Sequence, residues 1–245
     1  MDFAIILAAT VAACFALKVP LKACPLAFYL GAVAVDAVYV YGVFFGLPRA
    51  VWSPLFVLVQ KCELALALFV VVMFIGCLSR EGRAYKWLKP VRSELSIVAW
   101  FLSLGHMAVY LESYVPRLLG GGEVSGNVMG AFALAIVLLV LLVVLGVTSF
   151  AFVKRHMHTD TWKKVQKLAY PFFALVYVHL LLMLLPSALH GGIAASTSVA
   201  VYSVVFVGYG LARTARALAD KRAEEAPAAE KPVNPSFSDE LDVVS

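Results

Sequence analysis

Two histidines stand where water cannot reach them by default: His106 in AWFLSLGHMAVYLESYV and His179 in YPFFALVYVHLLLMLL, each near the middle of an apolar run. An imidazole can give one ring nitrogen to a hydrogen-bond acceptor and the other to a metal, so an ionisable residue inside a membrane span is a functional candidate. His106 lies 11 residues past Leu95, about 16 Å along a helix, and His179 lies 10 residues past Ala169, about 15 Å. Both helices are expected to enter from the same side, which puts the two rings at matching depth. A bis-histidine heme between helices needs that arrangement: an axial nitrogen on each face of the iron and an apolar bundle interior around the porphyrin edge. Each histidine can instead bond a Ser, a Thr or a backbone carbonyl across the bundle, and the residue types alone leave both readings open.

Four charged residues also fall within predicted spans: Asp36, Lys61, Glu63 and Glu112. A lone charge in hydrocarbon costs from about 2.5 kcal/mol upward. Asp36 and Lys61 are expected to neutralise each other as a pair. The alternative use is a proton-handling or quinol-binding site on the outer side of the histidines, with Glu63 or Glu112 accepting protons. The remaining histidines read as polar margins: His156 and His158 in the basic loop VKRHMHTDTWKK, and His190 beside Gly191 and Gly192. Cys14, Cys24, Cys62 and Cys77 show neither CxxC nor Cys/His metal spacing and read as small core residues.

The elements that must position these groups follow from composition. Hydrophobic residues make up 62% of the 245 and charged ones 14%, with a mean hydropathy of +0.90. Ordinary soluble domains are roughly 45–50% apolar and about 25% charged, so this is an integral membrane protein of all-α class. A span needs about 20 apolar residues, and seven stretches are candidates: Phe3 to Leu17, Pro25 to Leu47, Pro54 to Leu78, Leu95 to Val115, Val128 to Val153, Ala169 to Leu189 and Ile193 to Ala212. The first is short, so the bundle has six or seven transmembrane helices. Of the 20 Lys and Arg residues, 17 fall on one side, only Arg49 and Arg117 on the other, and Lys61 within a span. The positive-inside rule then places the C-terminus in the cytoplasm of a multi-pass protein of the cell (inner or plasma) membrane. Helices 1–3 occupy 1–79, a helical core 80–212, and a charged, Pro-containing tail 213–245 is expected to be disordered. No cleavable signal is evident at Met1–Asp2.

The net charge of +5 and pI near 9.0 do not point to nucleic acid, because the cations are distributed between apolar runs as topology signals. They do predict a positive cytoplasmic surface, from Arg80, Arg83, Lys86, Lys89, Arg92 and the loop after Val153, suited to anionic membrane lipids or to an acidic flavoprotein or flavin phosphate. A dinucleotide fingerprint is absent. A retinal protein is excluded by the lack of Lys between Ile193 and Ala212. Asp160 or Thr161 is expected to cap a helix beginning at Trp162, with Trp162 at headgroup level.

The segments VRSELSIVAWFLSLGHMAVYL, LGVTSF and WKKVQKLAYPFFALVYVHLLL resemble the ferric reductase-like transmembrane superfamily. Within it they are most similar to the MsrQ family, the heme-binding membrane subunits of periplasmic methionine sulfoxide reductase systems. The likeness runs from about Val91 to Leu185. It implies that His106 and His179 are heme ligands, that Thr148 and Ser149 match a Thr-Ser pair, and that Trp162, Leu168 and Tyr170 match a Trp-led re-entry segment. Val165 replaces a Leu of that segment. Gln166 stands where the family carries a further His 13 residues before His179, and its partner position on the fourth helix falls near Arg92. The resemblance therefore implies one heme b rather than two stacked hemes.

The expected function is a membrane b-type cytochrome carrying electrons from a cytoplasmic flavin (FMN), flavoprotein or quinol donor to a periplasmic or extracellular reductase subunit or a ferric chelate. The alternative is a heme-free transporter or membrane anchor using Asp36, Lys61 and Glu63.

Overall fold

A bilayer core supplies no hydrogen-bond partners, so a spanning backbone must satisfy itself, and this chain does so with helices throughout. The computed structural model describes residues 2–121 and 125–225. The helices are α1 (Asp2–Ala16), α2 (Lys18–Ala23), α3 (Pro25–Phe45), α4 (Arg49–Leu55), α5 (Glu63–Ile75), α6 (Arg83–Leu88), α7 (Arg92–Leu119), α8 (Gly126–Ser149), α9 (Ala151–His156), α10 (Thr159–Gln166), α11 (Ala169–Leu189) and α12 (Ile193–Glu225). Among the described residues there is no strand.

Five of these stretches are long and apolar enough to cross a membrane: α3, α6 with α7, α8, α10 with α11, and α12. A sixth is the bent pair of Arg49–Gln60 and Glu63–Ile75, while α1 is shorter. The all-α polytopic bundle expected from composition is thus what the chain forms.

Helix α5 is the pillar of the bundle. Ten of its 13 residues are buried, from Glu63 to Ile75. It packs against α7 and α1, α7 packs against α3, and α8 and α12 both pack against α11. Small residues allow these approaches. Ala65, Ala67 and Ala99 are 0% exposed, whereas Phe45 and Val204 turn 75% and 73% of their surface outward. That inversion is expected where the solvent is lipid. At Gly105 of α7 a Cβ would lie 2.7 Å from the Asp36 carboxylate carbon, and at Gly146 of α8 it would strike the Trp100 indole. Both glycines are therefore required by close packing.

Three boundaries differ from the sequence expectation. The third span does not run unbroken from Pro54 to Leu78. It is interrupted by a π-helical turn (Phe56–Gln60) and by Cys62 in the left-handed conformation at φ 58°, giving a 41° bend. The fifth ends at Ser149, because Phe150 is extended (φ −66°, ψ 136°) before α9 begins. The last helix continues past Ala212 to Glu225: its Arg- and Ala-rich extension keeps helical propensity although it has left the apolar region. The rest of the expected tail, 226–245, lies outside the described residues. The proposed cap is also absent. Helix α10 begins at Thr159 with His158 at the N-cap and no side-chain cap bond, and Trp162 Nε1 donates instead to the Thr148 carbonyl at 3.0 Å.

Candidate functional site

The bend in the third span has a chemical consequence. Carbonyls at a helix end lack partners in their own helix, and the carbonyl of Gln60 at the end of the π-helical turn lies 2.7 Å from His106 Nδ1. A carbonyl only accepts, so His106 carries its proton on Nδ1 and leaves Nε2 as a lone-pair donor. His179 has the same arrangement, with Nδ1 donating to the Ala131 carbonyl at 3.1 Å near the start of α8. Fixing one ring nitrogen on a backbone carbonyl is how proteins orient a metal-ligating imidazole.

The two histidines, from α7 and α11, line one cavity of about 690 Å³ counting its open mouth. Its wall is mostly apolar, with Leu66, Phe69, Leu138, Leu142 and Phe172 among the lining residues, and its polar members are Lys61, Cys62, Ser103 and the histidines. The Ser103 hydroxyl donates to the Ala99 carbonyl at 2.8 Å. Among the described residues no three His, Cys, Asp or Glu side chains gather as a metal site. Two imidazoles in a mostly apolar wall, with no third ligand gathered beside them, are a donor set that would suit a heme.

A second, larger cavity, about 1570 Å³ with its mouth, lies between the same helices toward the basic end. Phe69, Leu142 and Phe172 line both cavities, and the two phenyl rings meet edge-on at 5.5 Å. Gln166 and Arg92 line this inner cavity, but both are committed elsewhere. Gln166 Nε2 donates to Thr148 Oγ1 at 3.0 Å, and Arg92 Nε donates to the Val72 carbonyl at 3.2 Å. Thr148 in turn donates to the Val144 carbonyl at 2.7 Å. The Thr148, Trp162 and Gln166 constellation is thus a structural clasp between α8 and α10.

The charged candidates separate. Asp36 does not pair with Lys61: its Oδ2 accepts the Gly105 N–H at 2.8 Å, while Lys61 Nζ lies 4.0 Å from Glu63 Oε1. The bend explains the change, since Lys61 sits on the turn and not on the helix face opposite Asp36. Glu63 is buried at the first turn of α5, where a carboxylate favours the helix dipole. Lys61 lines the histidine cavity, and Glu63 adjoins it without lining it. Glu112 is exposed and lines no part of that cavity. His156 and His190 are exposed, bonding the carbonyls of Phe152 and Pro186. The Gln60 and Ala131 carbonyls are the site's unanticipated members. Any residue type presents a carbonyl, so no sequence signal marks them.

Residues 62–185, about half the chain, match the model of the family described as ferric reductase like transmembrane component. The matched stretch contains both histidines, all of α5, α7 and α8, and α11 as far as Leu185. A protein of Treponema pallidum (strain Nichols) described as uncharacterized is 36% identical over 197 residues, 79% of this chain. The chain spans 54%, about half, of that relative's length. No solved structure matches. The chain belongs to the ferric reductase like transmembrane component family and is a multi-pass membrane protein.

Proposed function

We propose that the protein is a b-type membrane cytochrome that passes single electrons across the bilayer, with His106 and His179 as the axial ligands of one heme. The observation that carries this is the matched pair of imidazoles facing one apolar cavity, each held through Nδ1 by a backbone carbonyl. When bound, the heme would supply an iron that alternates between two oxidation states and so accepts and releases one electron. The chain's own contribution is to hold and insulate. The Gln60 and Ala131 carbonyls keep Nε2 of each ring unprotonated, and raise its basicity as a ligand. The leucine and phenylalanine wall excludes water and stabilises the less charged state of the site. Lys61, which lines the cavity, would offer a cation to the acidic groups of a bound heme.

In this reading the basic end faces the cytoplasm of a cell membrane, where a flavin such as FMN, a flavoprotein or a quinol delivers electrons. A periplasmic or extracellular reductase subunit, or a ferric chelate, takes them on the other side. One heme is proposed, because the inner cavity offers Gln166 and Arg92, neither an iron-ligand type, where two further imidazoles would be needed. A heme-free transporter is less well supported, since Asp36 is tied to α7 instead of joining Lys61 and Glu63 on one route. The purified protein is expected to show the reduced α-band of a b-type cytochrome, lost in both His106→Ala and His179→Ala. Absence of that band, or a band indifferent to both substitutions, overturns the proposal.

A further inference from the structure

The two carbonyls that hold the imidazoles are aimed by different means. Ala131 lies within the regular helix α8, so the helix itself directs its carbonyl. Gln60 closes the π-helical turn Phe56–Gln60, just before Lys61 and the left-handed Cys62. The regular ladder is interrupted there, and a carbonyl at such a break is not directed by its own helix. Yet Gln60 makes the shorter bond, 2.7 Å to His106 Nδ1 against 3.1 Å from Ala131 to His179 Nδ1. Something outside the turn must hold it.

Tyr110 is placed to do so. It stands one turn beyond His106 on the same face of α7, and its ring centre lies 4.7 Å from that of the imidazole. The Gln60 side chain is a hydrogen-bond partner of the Tyr110 hydroxyl. An i, i+4 pair on α7 therefore grips Gln60 at two points, its carbonyl by His106 and its amide by Tyr110. The preceding residue, Val59, is 1% exposed, which leaves the turn little room to shift.

Tyr110 is braced in turn. Its ring stacks on Tyr114 at 6.2 Å with 15° between the planes, and Tyr114 meets Phe132 of α8 at 5.8 Å. Phe132 follows Ala131 in the chain, so one aromatic column connects the surroundings of both acceptor carbonyls. His179 has no corresponding latch: the residue one turn beyond it is Met183, 41% exposed, whose thioether donates no hydrogen bond.

We propose that Tyr110 is a positioning residue for His106. Through the Gln60 side chain it fixes the carbonyl that keeps the imidazole proton on Nδ1 and leaves Nε2 unprotonated. The redox consequence rests on the heme reading; the latch itself does not. An axial imidazole bonded to a fixed carbonyl is the more basic ligand and favours the ferric iron. Without the latch that bond weakens, and the ferric state loses part of its advantage.

The test compares wild type with Tyr110→Phe, which keeps the ring beside His106 and removes the hydroxyl, and with Gln60→Leu, which keeps the carbonyl and removes the amide. Heme affinity is expected to fall about tenfold or more in each, the usual cost of losing a partner that orients a ligand. The midpoint potential is expected to rise in both, and the double variant to go no further than either single one, because all three break one contact. Met183→Leu, at the corresponding place beside His179, is expected to match wild type. Nitrogen NMR of heme-free protein carrying isotope-labelled histidine supplies a readout independent of the cofactor. The His106 signals, identified by their loss in His106→Gln, are expected to show the Nδ1–H tautomer in wild type and a mixture in Tyr110→Phe and Gln60→Leu. Wild type that binds no heme sinks the cytochrome reading, and the tautomers then decide the latch. Wild-type affinity and potential in both variants, or an unchanged tautomer in both, overturns the proposal.

Discussion

Two cavities are stacked along one scaffold in this protein, and they differ in what their polar side chains are free to do. The histidine cavity presents two imidazoles whose Nδ1 atoms are satisfied by backbone carbonyls, so both Nε2 atoms remain for a metal. The inner cavity, between the same helices and beyond the Phe69–Phe172 contact, presents Gln166, whose amide donates to Thr148, and Arg92, held through Nε by the Val72 carbonyl, neither of them an iron-ligand type. Helix packing alone therefore does not make a ligand site. A ligand type must occur at the position, and another group must take its competing hydrogen bond.

The comparison can be broken most directly from the histidine side. His106→Ala or His179→Ala is expected to abolish the heme absorbance of the purified protein, since one remaining imidazole leaves an apolar pocket with a single anchor. His106→Gln or His179→Gln is expected to do nearly the same, because an amide is a poor iron ligand. Heme content per protein by pyridine hemochrome assay checks both pairs.

It can be sharpened from the other side. The double substitution Arg92→His/Gln166→His places two imidazoles at the inner cavity, and heme content is expected to rise from about one to about two per chain. Gln166→His alone is expected to leave the ratio unchanged. A ratio of two in the wild type would erase the distinction between the cavities.

Packing beneath the cavities predicts smaller effects. Gly146→Ala drives a methyl into the Trp100 indole and Gly105→Ala drives one into the Asp36 carboxylate. Each is expected to cost about 1–3 kcal/mol, read as a lower midpoint of thermal unfolding in detergent. Thr148→Val removes the acceptor of the Gln166 amide and is expected to cost about 0.6 kcal/mol, the usual size of a side-chain hydrogen bond within a membrane bundle. Its heme content is expected to stay at the wild-type value.

The legible and illegible parts of this chain divide along physical lines. His106 and His179 could be paired from sequence because depth in a membrane follows from residue counting at a fixed rise. Asp36 and Lys61 both fall from mid-span outward, which permits a pair, yet they do not meet. Depth leaves open the direction a residue faces around its helix, and the turn at Phe56–Gln60 changed that direction for Lys61. The apolar run across that turn shows no proline or glycine between Val57 and Cys62 to announce the interruption. At the other end, charge density marked the tail as leaving the membrane, but that did not require the helix to stop at Ala212.

Composition and the spacing of apolar runs determined, without any structure, that the chain spans a membrane as helices and that two imidazoles lie at equal depth, because both depend only on local solvation and a constant helical rise. Only the tertiary structure decided that those imidazoles share a cavity, that the Gln60 and Ala131 carbonyls hold their protons, and that Gln166 and Arg92 are occupied elsewhere. Each of those outcomes depends on how distant segments rotate and pack against one another, and no local run of residues encodes that alone.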